Sequence, residues 1–391
     1  MKALVVAPQP FFTPRGTPLS VYHRTRVMAS LGVEVDFLTY GEGRDVRVPG
    51  VRIIRIPRIR MLEPVRVGPS FGKLVLDTFM VAWTVALLAR RRYDFVHAHE
   101  EAVFWCSFLE PAFGFKLVYD MHSSLPQQLT NFGFTRSRLL IGTFEWLERL
   151  ALRMASAVIT ISPALAEYAE SHPGVAERHL LIENSLFEPV RFEAGEGGEA
   201  GADEVTVELP PEAPVVGYAG TFESYQGIDL LLRAHALVRR VLPEAVLLLV
   251  GGSPDKVAEY RQLARSLGVS DACRFTGTVS QEEARALMRR ASVLVSPRIR
   301  GTNTPLKIYE ILAGDRPLVA TRIASHTQVL TEDACILADP EPEAFAAGVL
   351  EALQDASRRR EVVAGARRLY ETAYAPERYQ AKMRRLLDLL H

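Results

Sequence analysis

The chain has 391 residues, 48% of them apolar, which is more than one hydrophobic core ordinarily serves and points to two domains. Forty-six Lys and Arg balance forty-six Asp and Glu, so the formal net charge is +0 and no global field favours nucleic acid, which is not expected as a partner. Cys106, Cys273 and Cys335 are odd in number and far apart, which argues against a disulfide framework or a metal knuckle and suits a reducing, cytoplasmic setting.

The N-terminal MKALVVAPQPFF has too short an apolar run for a signal-peptide core and predicts a first strand. A Gly/Pro loop, QPFFTPRGTP, leads into a helical pattern at LSVYHRTRVMASLG and a strand at VEVDFLTY, one βαβ unit. Gly16 stands in that loop, where a side chain would block close approach of backbone to a diphosphate or an acceptor. Further strands are expected at 51–56, 95–99, 116–121 and 157–162, the last preceded by a helix at FEWLERLALRMA.

Residues 74–89, LVLDTFMVAWTVALLA, lie between the basic RIPRIR at 55–60 and the arginines 90–92. Sixteen residues interrupted by Asp77 fall short of a bilayer span. Two readings stand: a packing helix of the first domain, or an interfacial helix through which 55–92 makes peripheral contact with the inner face of a membrane. After HLLIENSL the pattern collapses into FEAGEGGEAGADE, which cannot bury a core and reads as a linker or loop. The expected division is therefore 1–190, a linker at 191–208, a second domain at 209–375, and a C-terminal helix at 376–391 packing back on the first domain.

The second half repeats the alternation, with strands at VVGYAGT, EAVLLLVGG, CRFTG, VLVSP and PLVAT separated by helices and a helical tail from about Pro342. The fold class is α/β: two Rossmann-like doubly wound domains facing across a cleft, with ligands outside the carboxyl ends of both sheets. One segment of the second domain has an unusual charge pattern. Between Glu283 and Glu310 there is no carboxylate, while Arg285, Arg289, Arg290, Arg298, Arg300 and Lys307 all fall there. Thr304 suits an N-cap, Pro305 the first helical position and Gly314 the end of a helix, so a helix is expected to start at Pro305 with its free amides toward the cleft. Lys307 and Glu310, three apart, either form an intrahelical salt bridge or divide a nucleotide between them, Lys307 with the amides holding a diphosphate and Glu310 accepting from a ribose diol. Arg285, Arg289 and Arg290 are expected on a solvated helix face.

These segments resemble the retaining GT-B glycosyltransferases of glycosyltransferase family 4 over nearly the whole chain. The resemblance is carried by PRGTPLSVYHRTRVMASLGVEVDFLT, FVHAHE, VYDMHSS, VITISPAL, IENS, GYAGTFESYQGIDLLLRA and NTPLKIYEILAGDRPLVAT. It implies transfer of a sugar from a nucleoside diphosphate donor, a UDP-sugar before a GDP-sugar, with retained anomeric configuration, no required metal and no cofactor. The acceptor would be a hydroxyl of a glycan, a lipid-linked molecule or a small molecule. The resemblance further implies that Gly16, Gly220, Thr221, Gln226, Thr302, Asn303, Thr304, Leu306, Lys307 and Glu310 bind the donor, with His122, Lys307 and Glu310 at the centre of the chemistry.

Two departures from the family pattern stand out. The family motif has two glutamates separated by seven residues, and Thr302 occupies the first place. An Arg and a Lys that neutralise the diphosphate early in the second domain are replaced by Thr221 and Gln226, a loss that Lys307, helped by Arg298 or Arg300, would offset. In the first domain, His122 follows the strand KLVYDM, and the resemblance sets it against the donor sugar. His97 and His99 share a strand face by alternation and are either packing residues or acceptor contacts; His99 and Glu100 are the acceptor candidates. No unambiguous carboxylate pair for a double displacement is present, although Asp120 and Glu100 are candidates, so front-face attack is expected. In it the leaving diphosphate oxygen accepts the acceptor's proton. The alternatives are a nucleotide-sugar epimerase or phosphorylase of the same fold, or a degenerate nucleotide-sugar binder.

Overall fold

The computed structural model describes residues 1–12, 16–65, 70–126, 137–184 and 207–391. The chain divides into two compact units, Met1–Glu193 with Pro376–His391, and Ala194–Ala375. The first unit contains β1 (Lys2–Ala7), α1 (Gly16–Ser30), β2 (Glu34–Thr39), β3 (Val51–Arg55), α2 (Phe71–Arg90), β4 (Phe95–His99), α3 (Ala102–Phe113), β5 (Lys116–Met121), α4 (Arg138–Met154), β6 (Ala157–Thr160), α5 (Pro163–Glu170) and β7 (His179–Leu181). Its seven strands pair in parallel in the order β3-β2-β1-β4-β5-β6-β7.

The second unit contains β8 (Val215–Ala219), α6 (Ile228–Val241), β9 (Val246–Val250), α7 (Pro254–Ser266), β10 (Cys273–Gly277), α8 (Gln281–Arg289), β11 (Val293–Ser296), α9 (Leu306–Leu312), β12 (Leu318–Thr321), α10 (Ala324–Thr327), β13 (Ile336–Ala338), α11 (Pro342–Gln354) and α12 (Ala356–Leu369). Its sheet is also parallel, in the order β10-β9-β8-β11-β12-β13. A π-helical turn, Tyr370–Tyr374, then leads to α13 (Pro376–Leu389), which belongs to the first unit. Each sheet reverses its strand order once, beside β1 and β4 and beside β8 and β11. Both units are therefore doubly wound, and the carboxyl ends of those four strands are where such folds receive ligands.

The strands read as continuous apolar runs because helices cover both faces of each sheet. Ala3 to Ala7 and Leu247 to Leu249 are fully buried. Several helix starts are written locally: Ser70 accepts from the Lys73 amide (3.3 Å) at α2, and Ser280 and Glu283 form a reciprocal capping box at α8. Helix α2 is four residues longer than the sixteen-residue apolar stretch. Asp77 does not interrupt it, since the Tyr40 hydroxyl donates to that carboxylate (2.5 Å). Leu76, Met80, Thr84 and Leu88 bury one side of α2. The linker expected at 191–208 lies, up to residue 206, outside the described residues.

One glycine fixes how two loops of the second unit meet. Gly227 adopts φ +74° between the turn Ser224–Gln226 and α6, and a Cβ there would sit 1.9 Å from the carbonyl oxygen of Pro297, just past β11. Gly227→Ala adds left-handed strain to a backbone clash and is expected to lower the unfolding free energy by about 2–4 kcal/mol. Urea denaturation reads this as a lower midpoint; an unchanged midpoint would show that the two loops are free to separate.

Candidate functional site

In the first unit, β4 and β5 pair so that His97 lies beside Val118 and His99 beside Asp120. Asp120 is fully buried, and so is the guanidinium that meets it: Arg24 of α1 donates Nη1 to Asp120 Oδ2, Nη2 to the carbonyl of Ile182 (2.7 Å) and Nε to the hydroxyl of Tyr379 on α13 (3.2 Å). Three histidines gather on the same carboxylate. His97 Nε2 is 2.8 Å from Asp120 Oδ2, His99 Nδ1 is 3.3 Å from it, and His122 Nε2 is 3.4 Å from Oδ1. The His97 and His99 rings stack at 4.5 Å, and His99 Nδ1 shares a hydrogen bond with His122 Nε2 (3.1 Å). Just past β5, the chain is tied down by Glu148 of α4, which accepts from Ser124 Oγ (2.8 Å), the Leu125 amide (3.2 Å) and the Tyr168 hydroxyl (2.6 Å).

Burial alone would raise the Asp120 carboxyl, but the Arg24 guanidinium and the histidines around it hold it well below the usual carboxylate range. Burial pushes His122 down to about 4 and His99 well below its ordinary value. Near neutral pH the cluster is thus one cation, one anion and neutral imidazoles at His99 and His122. His97, His99 and Asp120 bring ligand atoms within 4.8 Å of one another, a spacing that would suit a metal ion. Arg24 already occupies Asp120 Oδ2, however, and a divalent ion there would sit against a buried guanidinium.

Of the acceptor candidates, His99 is part of this cluster, and Glu100 turns out of β4 with φ +50° and its amide on the Asp120 carbonyl (3.2 Å). Burial, and then the neighbouring Glu101, push the Glu100 carboxyl up to about 7. Gly16 opens α1, and residues 13–15 before it lie outside the described residues.

In the second unit the predicted residues come from the ends of β8 and β11. Lys307 Nζ lies over the Tyr218 ring (4.0 Å to its centroid) and 3.4 Å from the Ala219 carbonyl oxygen at the end of β8. Burial, and then the charge of Arg298, push this ammonium down to about 7. Gly220 and Thr221 follow directly, the Thr221 carbonyl accepting from the Tyr218 hydroxyl (2.8 Å). The side-chain oxygen of Gln226 is buried with no hydrogen-bond partner.

Several expectations need correction. The helix starts at Leu306, with Pro305 at the capping position and no side-chain cap. Thr304 Oγ1 instead accepts from Gln328 Nε2 (2.9 Å), which also reaches the Thr302 carbonyl (2.9 Å). Helix α9 has only seven residues, so its dipole is a minor source of positive potential; its end is as expected, with Ala313 at the cap and Gly314 just past it. Lys307 and Glu310 form no salt bridge. Glu310 is paired with Arg285 of α8, which is therefore not simply part of a solvated face. Arg298 braces its own loop, donating to the carbonyls of Arg300 (2.7 Å) and Asn303 (2.8 Å) and lying over the Tyr225 ring.

Sequence reasoning missed Arg24, Tyr379, Tyr218, Gln328 and His326. The last is fully buried, with Nε2 2.9 Å from Ser296 Oγ at the end of β11 and Nδ1 2.8 Å from the Thr321 carbonyl at the end of β12. The available signal was weak: each is a polar residue inside or beside a helical or strand pattern that folds onto the carboxyl end of a strand.

Comparison with known proteins gives the same result for both halves. Residues 16–185 match the family model described as glycosyl transferase 4-like domain, and residues 213–355 the one described as glycosyl transferases group 1. A 2-deoxystreptamine glucosyltransferase of Streptomyces kanamyceticus is 26% identical over 314 residues, spanning 76% of this chain and 78% of its own. The fold is similar to that of a sucrose-phosphate synthase from Thermosynechococcus elongatus (TM-score 0.77, 23% identity, 100% of this chain and 98% of that one). It is also similar to Anabaena HepE solved in complex with UDP-glucose (TM-score 0.70, 17% identity, 99% of each chain).

The charge cluster of the first unit makes a direct prediction. Arg24→Met leaves a carboxylate buried without its cation and is expected to cost about 3–5 kcal/mol in urea denaturation. Tyr379→Phe, which removes one hydrogen bond and no charge, is expected to cost about 1 kcal/mol. Equal losses would mean that the pair contributes no more than an ordinary hydrogen bond.

Proposed function

Since the chain belongs to the glycosyl transferases group 1 and is a glycosyltransferase of the GT-B fold, we propose that it moves a sugar from a nucleoside diphosphate sugar to a hydroxyl acceptor with retained anomeric configuration. The observation that carries the donor side of this reading is Lys307. A cation reaches the Ala219 carbonyl and the Tyr218 ring at the end of β8, at the switch point of the second sheet and just ahead in the chain of Thr221 and Gln226, where relatives of this family are expected to carry an Arg and a Lys. Lys307 neutralises the diphosphate in their place. Glu310, held by Arg285 through Oε1, offers its remaining oxygen to the ribose. A UDP-sugar is the proposed donor; that HepE was solved with UDP-glucose supports this choice.

In the reaction, the acceptor oxygen bonds to the anomeric carbon as the bond from that carbon to the diphosphate breaks. The acceptor proton passes to the leaving diphosphate oxygen on the same face. The protein contributes position and charge: Lys307 stabilises the negative charge that grows on the diphosphate, and His122, kept neutral by burial and fixed by His99 and Asp120, contacts the donor sugar. Incubation with UDP-sugars and an acceptor panel, with the product's anomeric configuration read by NMR, tests this reading. Epimerised donor without acceptor, or turnover that needs orthophosphate, would replace it.

Calorimetric titration separates the two donor residues. Lys307→Ala is expected to weaken UDP by about 1.5–3 kcal/mol and uridine hardly at all, whereas Glu310→Gln weakens both by a similar amount. Equal losses of UDP and uridine in the lysine variant would remove Lys307 from the diphosphate.

The low pKa of Lys307 gives a further test. Free Lys307 is half charged at about pH 7, and a bound diphosphate raises its pKa, so binding takes up a proton as pH rises above 7. Affinity for UDP-glucose, whose diphosphate does not titrate in this range, is expected to fall by up to about tenfold per pH unit above 7. The slope should vanish in Lys307→Ala; a flat profile in the unmodified protein would show that Lys307 stays charged throughout.

A further inference from the structure

Helices α2, α3 and α4 lie side by side on the first unit's sheet. Trp105 of α3 donates to Thr84 Oγ1 of α2 (3.4 Å), and Phe104 of α3 meets Phe144 of α4 with ring centroids 6.1 Å apart. Their inner sides supply the core. The outer sides of α2 and α3, and part of that of α4, are apolar as well. Phe71 (80% exposed), Leu74 (63%), Phe79 and Val85 of α2 point to solvent, and Phe108 of α3 and Trp146 of α4, 6.5 Å apart, extend the face. The charges on α2 ahead of Arg90 are engaged: Lys73 with Glu101 (2.5 Å) and Asp77 with Tyr40. A soluble surface rarely carries a contiguous apolar patch of this kind without a use for it.

The ends of the patch are cationic. Arg60 precedes α2, and Arg90 and Arg92 close it; all three are exposed and have no ion pair among the described residues. The turn Arg60–Leu62 sits against the start of α2, where a Cβ on Gly72 would be 3.7 Å from Leu62, and a helix of 20 residues is about 30 Å long, so Arg60 on one side and Arg90 with Arg92 on the other lie toward opposite ends of the apolar stripe. On α4, the exposed acid Glu145 is followed by Arg149 and Arg153. By length and composition α2 could cross a bilayer, but Leu76, Met80 and Leu88 belong to the same core as Val96 and Leu117 of the sheet, and a crossing helix would take them out of it.

We propose that the α2–α3–α4 face docks on an anionic lipid bilayer. Helix α2 lies in the plane of the interface, the Phe, Leu and Trp side chains enter the boundary between headgroups and acyl chains, and Arg60, Arg90 and Arg92 meet lipid phosphates. This goes beyond the transfer reaction, because it says where the enzyme works, and its test needs neither donor nor acceptor.

The full chain is sedimented with vesicles of phosphatidylcholine alone or mixed with phosphatidylglycerol, at low and high salt. The protein is expected to pellet with the mixed vesicles at low salt and to be released by salt. Arg90→Ala with Arg92→Ala should weaken binding to the mixed vesicles by about fivefold per charge. Phe71→Asp with Leu74→Asp should abolish binding while leaving thermal melting and UDP affinity unchanged, since both positions are exposed. Protein that stays in the supernatant with mixed vesicles at low salt overturns the proposal. So does sedimentation equilibrium showing a dimer that Phe71→Asp with Leu74→Asp dissociates while vesicle binding persists, since a second copy would then be what covers the face.

Discussion

Two buried opposite charges, Arg24 and Asp120, organise the carboxyl end of the first sheet. Neither could be buried alone, because an unpaired ion in the interior costs several kcal/mol. Their attraction also fixes direction. The guanidinium is a planar fork, and its three used nitrogens reach β5, the chain just past β7, and α13. With Asp120 committed as an anion, the surrounding imidazoles are drawn to it while burial keeps His99 and His122 neutral. A neutral histidine with a fixed neighbour presents a defined edge, which suits a group that contacts a sugar more than one that exchanges protons.

The second unit treats its positive charge differently. The run of cations from Arg285 to Lys307 resembles a single anion-binding patch in sequence, yet three of its five arginines hold the protein's own oxygen atoms. Arg285 takes Glu310, Arg290 the Val207 carbonyl and Arg298 the carbonyls of its own loop. This bracing makes a half-buried lysine useful: Lys307 is held over an aromatic ring by a rigid surround, so its charge is poorly solvated and responds strongly to an incoming anion.

The sheets were legible because central parallel strands buried on both faces are nearly continuous apolar runs, as in β1 and β9, and because turn residues bound the shorter ones: FVHAH and CRFTG coincide with β4 and β10 to the residue. The family resemblance, too, rested on local stretches. Pairings across the fold were not legible. In VYHRTRV nothing marks Arg24 as the cation that turns inward, since its carboxylate is 96 residues away. The spacing of Lys307 and Glu310 suggested a bond between them, and a tertiary partner 25 residues earlier replaced it. Short elements such as α10, with His326, carry too few residues for any period to show. For α2, periodicity offered packing or interface as alternatives, whereas the helix has an apolar face on each side.

The placement of α13 has a consequence for how the protein is made. Tyr379 follows Arg24 by 355 residues, and the whole second unit lies between them. At a synthesis rate of roughly 5–20 residues per second, the first unit waits on the order of 10–40 s on the ribosome, while Ala194–Ala375 is made, before its last helix arrives. Through that interval Arg24 has its carboxylate but lacks its hydroxyl partner, and the surface that α13 will cover stays open. The first half of the chain is the first to emerge and the last to be finished, so a nascent chain halted anywhere before residue 376 carries an unsealed first unit.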